Sequence, residues 1–428
     1  MHWAALNFTA LFLELWMGKM KRDPKDTLVW SWVFLVDEVF KAHGQSIVDA
    51  LSYLPGSFER PPRDPHKKLN SGYKAWEFLT WIWGMAPALF YGIMPEDFYV
   101  HFCKAAAAVR ILHQQEATVD DLLLAFKLMN EVCEDFEELY IDGMTSRLHF
   151  ARHAIHIALH FVRDASRHGM GAYVSQWVTE RAIGMYSALV RQPSNPYRNL
   201  SAQATLETQL NALYSRVPDL NPYPLEATIR SKTAVALEDQ YVLLHPRQRT
   251  ASELPREQRA ALKAFAESKG LTIHDSWGGR VQRQGRLLLP NGQIARCAWR
   301  ERTRPLYKLR ISRNVKITTG ERTVAFGEAL FYFQQKIGGR DFTLAMLHMY
   351  GSPDTNIMKK TSGAYYACDQ LPILESGSLR VVEYSTVQSV VAMIPHRGRF
   401  YLVEKITLGA GSLIDRVEDM PDEPDEVD

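Results

Sequence analysis

The chain has 428 residues, a formal net charge of +2, 46% hydrophobic residues and ten tryptophans. That length and apolar content fit two or three domains with real cores, and exclude a disulfide-stapled miniprotein or a disordered chain. The four cysteines (Cys103, Cys133, Cys297, Cys368) are widely spaced with no CxxC pair, which excludes a zinc ribbon and points to a reducing compartment.

In chain order, Trp3 to Lys21 has helical periodicity, with Leu6, Ala10, Leu13 and Met17 on one side. A second helix is expected over about 27–53. A proline-rich basic loop follows at 55–72. Phe78 to Pro95 is an uncharged run of eighteen residues, only just long enough to span a bilayer. Gly84, Pro87, Gly92 and Pro95 break it, so two short buried helices joined at Ala86-Pro87 are expected rather than a membrane span. Helical signal continues to about Arg191. Within it, the acidic face of 131–142 reads as solvated. A loop at 192–199 and a short helix around 202–214 complete this half.

Pro218, Pro222 and Pro224 mark a linker. The expected division is a helical region 1–217, a linker 218–236, a small β-rich domain 237–414 and an acidic tail 415–428. The tail holds eight acids and one arginine, a composition typical of a solvated segment. In the β-rich part, Thr250-x-x-Glu253 with Pro255 starts a helix that Gly270 closes. Asn291-Gly292 between β-prone segments is a strong hairpin signal. Further strands are expected at 324–333, 342–350, 379–384, 387–394 and 400–405. The fold class is α+β: helices first, then a small antiparallel barrel or half-barrel. Its region 286–405 is expected to fold on its own.

The densest chemistry lies between His149 and Leu200. His149, His153, His156 and His160 fall on one helical face. Large apolar residues flank that face (Phe150, Ile157 and Phe161; Ile155, Leu159 and Val162), so the helix reads as buried and the imidazoles as a hydrogen-bonded polar seam. Histidines at i and i+4 also chelate metals, which keeps open a metal enzyme built on this stripe. Downstream, Glu180 stands beside Trp177 and Arg181. As a lone carboxylate it is equally a salt-bridge partner.

A second cluster is basic: Arg296, Arg300, Arg302, Arg304, Lys308, Arg310, Arg313 and Lys316. It can neutralise phosphates, or simply be a solvated face. No GxxxxGK[ST], GxGxxG after a strand, or GxSxG is present. Ordinary nucleotide-binding and α/β-hydrolase chemistry is thereby disfavoured.

The order H-x-x-x-H, a glycine turn, W-x-x-E-R and NP-x-x-NL resembles the C-terminal part of CACTA-type (En/Spm-like) DNA transposases, closest to copies in basidiomycete fungi. The residues are His156, His160, Trp177, Glu180, Arg181, Asn195-Pro196 and Asn199-Leu200. Segments 71–78, 54–62 and 289–299 resemble further parts of these fungal proteins. The resemblance implies an RNase H-like catalytic fold, interrupted by a helical insertion, in which three carboxylates hold two Mg²⁺ ions. Glu180 matches the third carboxylate. In the family the second aspartate is followed by D-x-M-H and then a helical asparagine. His2 and Asn7 fit those positions, so the chain is expected to begin just after that aspartate and to lack the first two.

The implied ancestral activity is Mg²⁺-dependent cleavage and transfer of DNA at transposon ends, in the nucleus. The chain alone is expected to be inactive and to hold no metal. Trp3, Phe8 and Phe12 are then expected to form an exposed apolar patch. A domesticated DNA- or chromatin-binding module using 296–316 is the alternative reading. The role of the β domain, toward DNA, chromatin or a protein partner, stays open.

Overall fold

The computed structural model describes residues 2–58, 60–190, 194–220, 234–273, 277–318 and 324–405. The linker at 221–233 and the acidic tail lie outside them.

The chain enters on a π-helical turn, Trp3–Phe8, that continues into α1 (Thr9–Trp16). The expected exposed patch is absent here. Trp3, Phe8, Phe12 and Trp16 are all buried. Phe8 stacks on Trp3 and Trp83 at 4.9 and 5.6 Å between centroids. Trp83 Nε1 donates to Ala4 O at 2.9 Å and Trp3 Nε1 to Ala154 O at 2.8 Å, so both of these buried indole N–H groups are satisfied. The uncharged run supplies the cover. It forms the helical turns Leu79–Met85 and Ala86–Leu89, continuing the turn Ala75–Phe78, with Pro87 tolerated in a first turn. Among the described residues no helix is long and apolar enough to cross a membrane.

The second helix is shorter than expected: α2 spans Asp37–Ala50. Ahead of it, Trp30, Trp32 and Phe34 are buried on an irregular segment while Val29 and Ser31 are exposed. The segment breaks the helical pattern with a turn closed by the Val33 N–H on Trp30 O at 3.2 Å. The segment is tied down by Asp26, which accepts from Trp30 Nε1 at 2.8 Å and from Arg147 Nε at 2.7 Å.

Two long helices, α3 (Glu96–Leu112) and α4 (Val119–Phe136), pack together, α4 starting from a Thr118/Asp121 capping box. The buried run Ala105–Ala108 lets α3 be closely approached. Then follow α5 (His153–His168), α6 (Trp177–Leu189) and α7 (Pro196–Arg216).

The second half is antiparallel β with one long helix, α8 (Arg256–Ser268), which buries Leu262, Phe265 and Ala266, and two short ones at Ala298–Glu301 and Thr355–Lys360. Its strands are β1 (Val235–Ala236), β2 (Val242–Arg247), β3 (Ser252–Glu253), β4 (Arg280–Val281), β5 (Arg283–Leu288), β6 (Ile294–Arg296) and β7 (Asn314–Thr318). They continue with β8 (Val324–Ile337), β9 (Arg340–Met349), β10 (Ala367–Cys368), β11 (Leu379–Glu383), β12 (Val387–Val390), β13 (Ala392–His396) and β14 (Arg399–Val403).

Nine strands form one sheet in the order β1-β2-β5-β8-β7-β12, with β6 on β5, β9 on β8 and β11 on β9. The hairpin at Asn291-Gly292 forms as read, Gly292 taking φ 81°. Long β8 pairs with both β7 and β5 on one side and with β9 on the other. Among the described residues β11 and β12 each pair with a single strand, so the sheet is open and the expected barrel does not close.

A second, three-stranded sheet, β10-β14-β13, packs Cys368, Met393 and Phe400 against Phe326 and Tyr350. Its Ala367, Ala392, Ile394, Tyr401 and Val403 belong to the core of the helical half. Arg110 fastens the junction. Its guanidinium donates to the carbonyls of Trp83 (2.6 Å), Gly84 (2.7 Å) and Ala364 (2.6 Å). Part of the apolar surface of the β-rich region is therefore covered by the helices.

Candidate functional site

Helix α5 positions the histidine stripe, and it does so with the opposite face inward from the one expected. The buried residues are Ala154, Ile155, Ala158, Val162 and Ala165, packed against α4 and the N-terminal helix. His153, His156 and His160 are exposed. His149 is not on α5 at all. It lies in the preceding 3₁₀ turn Thr145–Phe150, where its Nε2–H donates to Lys21 O at 2.7 Å. The reason is size: a face of alanines lets two helices approach closely, and the imidazoles are left outside.

Four imidazoles are buried among the described residues, His43, His101, His113 and His348, and nothing in the sequence singled them out. His43 Nε2 accepts from Trp81 Nε1 at 2.7 Å. His101 donates to Val132 O at 3.0 Å and His113 to Val109 O at 2.8 Å. Burial pushes their pKa values down, to about 3 for His43 and about 4 for His101 and His113. All three are thus neutral core residues at pH 7.

On the exposed stripe, His156 Nε2 and His160 Nε2 stand 3.1 Å apart with ring centroids at 4.6 Å. Two imidazole nitrogens at that spacing have the bite of a bidentate chelate. Among the described residues no group of three or more His, Cys, Asp or Glu side chains is arranged to hold a metal ion.

Gly169, at φ 100°, ends α5, and a short helix Gly171–Val174 leads to α6. Glu180 is exposed in the first turn of α6. Trp177 and Arg181 lie on the same helix, with side chains outside the described part. Pro196 opens α7 at its first turn, the position where a missing N–H costs nothing, and Asn199 and Leu200 follow it. α6 packs on α7. No residue of α7 is buried, and Ile183, Met185, Leu189, Leu206 and Leu213 are exposed. His2 and Asn7 are likewise exposed, on the first helical turns.

The basic stretch is largely committed inside the fold. Glu328 is the main reason. This carboxylate, 4% exposed, accepts from Arg302 Nη2 at 2.8 Å and from Arg313 Nε at 2.6 Å. Arg313 also donates to Glu301 at 3.1 Å. Burial raises the carboxyl of Glu301 while Arg313 and the Ser312 N–H oppose that shift. Lys316 pairs with Glu404 at 2.8 Å, and Arg310 donates to the carbonyls of Leu54 and Pro55. Arg296, Arg300 and Arg304 also have partners within the protein, and Lys308 lies 5.8 Å from the Tyr307 ring centroid. Of the eight residues expected to form a DNA-binding face, Arg302, Arg313 and Lys316 thus act as counter-charges and Arg310 as a clamp onto the helical half, while Arg302, Arg304 and Lys308 are exposed.

One open groove of about 630 Å³ lies between α8 and the turn leading into β11, lined by Ala260, Ala264, Phe265, Leu374, Gly377 and Val381. It holds none of the residues singled out in the sequence. Comparison with models of known families, with curated proteins and with solved structures finds no match to this chain.

Proposed function

We propose that this protein derives from a CACTA-type DNA transposase, with Glu180 as the descendant of the third metal-binding carboxylate. The supporting observation is the order of motifs from His156 to Leu200, with Glu180 standing exposed on α6 beside an uncovered apolar helix pair. An exposed acid on such a pair is what a catalytic helix presents to a sheet or partner that completes it. The ancestral reaction is DNA strand cleavage and transfer at transposon ends, in the nucleus.

The residues present do not fit a two-Mg²⁺ site. Such a site needs several carboxylates bridging two ions about 4 Å apart, and Glu180 stands exposed with no second acid of the family pattern on this chain. No catalytic step is therefore assigned to these residues alone.

The test is a supercoiled-plasmid assay with Mg²⁺ or Mn²⁺. The chain by itself is expected to leave the plasmid intact. Joined to an upstream segment carrying two family aspartates, it is expected to cleave transposon ends, and Glu180→Gln in that joined protein to abolish cleavage. Nicking by residues 1–428 that survives Glu180→Gln would overturn the reading.

A further inference from the structure

A threonine preceded by arginine at its third and first upstream positions occurs twice in the chain, as Arg247-Gln248-Arg249-Thr250 and as Arg300-Glu301-Arg302-Thr303. The two stretches are alike in sequence, and the fold separates them. Thr303 follows the short helix Ala298–Glu301, and its hydroxyl donates to Arg300 O at 2.7 Å. Arg302 beside it is paired with buried Glu328. Thr250 stands in the turn between β2 and β3, exposed together with Arg249 and Ala251. It does not take up its expected place at the start of a helix, because α8 begins at Arg256 with Pro255 as its cap. Among the described residues its hydroxyl has no hydrogen-bond partner. Ser252, with Arg249 three residues ahead of it, is half-buried and donates to Gln248 Oε1 at 3.3 Å.

The fold also brings charge to this turn from a distant segment. β3 pairs with β4, setting Glu253 opposite Arg280. Arg280 Nε donates to Ala251 O at 3.2 Å, so its guanidinium lies against the carbonyl of the residue that follows Thr250. Arg247, Arg249 and Arg280 are all exposed. Glu253 is paired with Arg259. A guanidinium bonds phosphate oxygens through paired N–H donors, and Arg280 is already placed beside the one free hydroxyl of the turn.

We propose that Thr250 is a phosphorylation site for a serine/threonine kinase that reads arginine ahead of its target, and that Arg280 then holds the phosphate against the β2–β3 turn. In the transfer, Thr250 Oγ1 bonds to the γ-phosphorus of Mg-ATP and the bond from that phosphorus to the bridging oxygen breaks. ADP leaves with the electron pair, and the hydroxyl proton passes to the kinase's catalytic aspartate. The product carries a charge of roughly −1.5 to −2 and three strong acceptor oxygens. Those acceptors can tie the β2–β3 turn to β4 by charge-assisted hydrogen bonds, which a neutral hydroxyl cannot do. The site goes beyond the transposase reading and does not involve Glu180, so failed plasmid cleavage leaves it standing.

The experiment incubates the full chain with Mg-ATP and the active catalytic domain of a kinase selective for arginine three residues before its target, and locates phosphate by mass spectrometry. Thr250 is expected to be modified roughly tenfold faster than Thr303 or Ser252. R247Q/R249Q, with an unchanged circular dichroism spectrum, should be modified roughly tenfold more slowly than wild type. T303A should be modified like wild type, and T250A should lose the label. Phosphorus NMR of the modified chain then reads the seat of the phosphate. Its second pKa, about 6 when free, should lie lower by roughly half a unit or more than in a phosphopeptide of residues 244–256, and R280Q should bring it back to the peptide's value. Modification of Thr303 or Ser252 at least as fast as Thr250 overturns the assignment. So does modification of Thr250 only after denaturation, an absence of label, or an unchanged rate in R247Q/R249Q. A phosphate that titrates as in the peptide, or that R280Q leaves unmoved, overturns the role of Arg280.

Discussion

Asp26→Asn isolates the most deeply buried ion pair of the helical half. The Asp26 and Arg147 side chains are 1% and 3% exposed. The carboxylate accepts from Arg147 at 2.7 and 3.0 Å, from Trp30 Nε1 at 2.8 Å and from the Leu28 N–H at 3.3 Å. Arg147 also lies over Trp32, 5.1 Å from the ring centroid. Asparagine keeps an acceptor for Trp30 but leaves the guanidinium buried without its counter-charge. The expected loss is about 3–5 kcal/mol. With an m-value near 3 kcal/mol/M, the urea midpoint followed by tryptophan fluorescence falls by roughly 1–1.5 M. Asp26→Leu with Arg147→Met removes both charges and should recover more than half of that loss, less about 1 kcal/mol for the Trp30 N–H left unpaired.

The pair also sets an acid limit. The Arg147 hydrogen bond, the largest influence, holds the Asp26 carboxyl well below its usual range. Its contribution is therefore full above the unfolded-state value of about 4 and is lost as pH falls below it toward the folded value. The wild-type midpoint should drop between pH 5 and 2 more steeply than that of the double variant. A midpoint for Asp26→Asn within about 0.3 M of wild type, in a chain with m near 3 kcal/mol/M, would show the pair to be solvated and the reasoning wrong.

His153→Gln, on the exposed face of α5, should change stability by less than about 0.5 kcal/mol, and a loss above about 1.5 kcal/mol in the same urea assay would return the stripe to the core. Residues 270–405 expressed alone should give an aggregating or dye-binding species without near-ultraviolet circular dichroism. That fragment lacks β2 and exposes Ile394, Tyr401 and Val403, and a cooperative, dispersed spectrum would refute the shared core.

Local signals carried the fold furthest where neighbours in sequence decide the outcome. The Asn291-Gly292 hairpin and the helix closed by Gly270 are set by φ > 0 at a glycine, and both were legible. Orientation was not. On α5 the apolar residues suggested burial all round, but Ala154, Ile155, Ala158, Val162 and Ala165 face the core, Ile157 and Phe161 are half-buried at its edge, and Leu159 is exposed. Propensity says which residues are apolar, not which face a neighbouring helix can approach. The ion pairs of the basic stretch were hidden for a different reason. Glu328 and Glu404 lie 15 to 88 residues from the cations they hold, and pairing at that separation leaves no mark in the local sequence.

The small sheet ties folding to the tempo of synthesis. Arg110 cannot reach its third carbonyl until Ala364 exists, and the helical core is not covered until Tyr401 and Val403 arrive. At about 5–20 residues per second, translation from Arg110 to Val403 takes roughly 15–60 s. For that interval the nascent helices wait with an apolar flank open beside the ribosome. Ribosomes stalled before β13 should therefore display a helical half that chaperones hold and proteases cut, while release past β14 closes it in a single step.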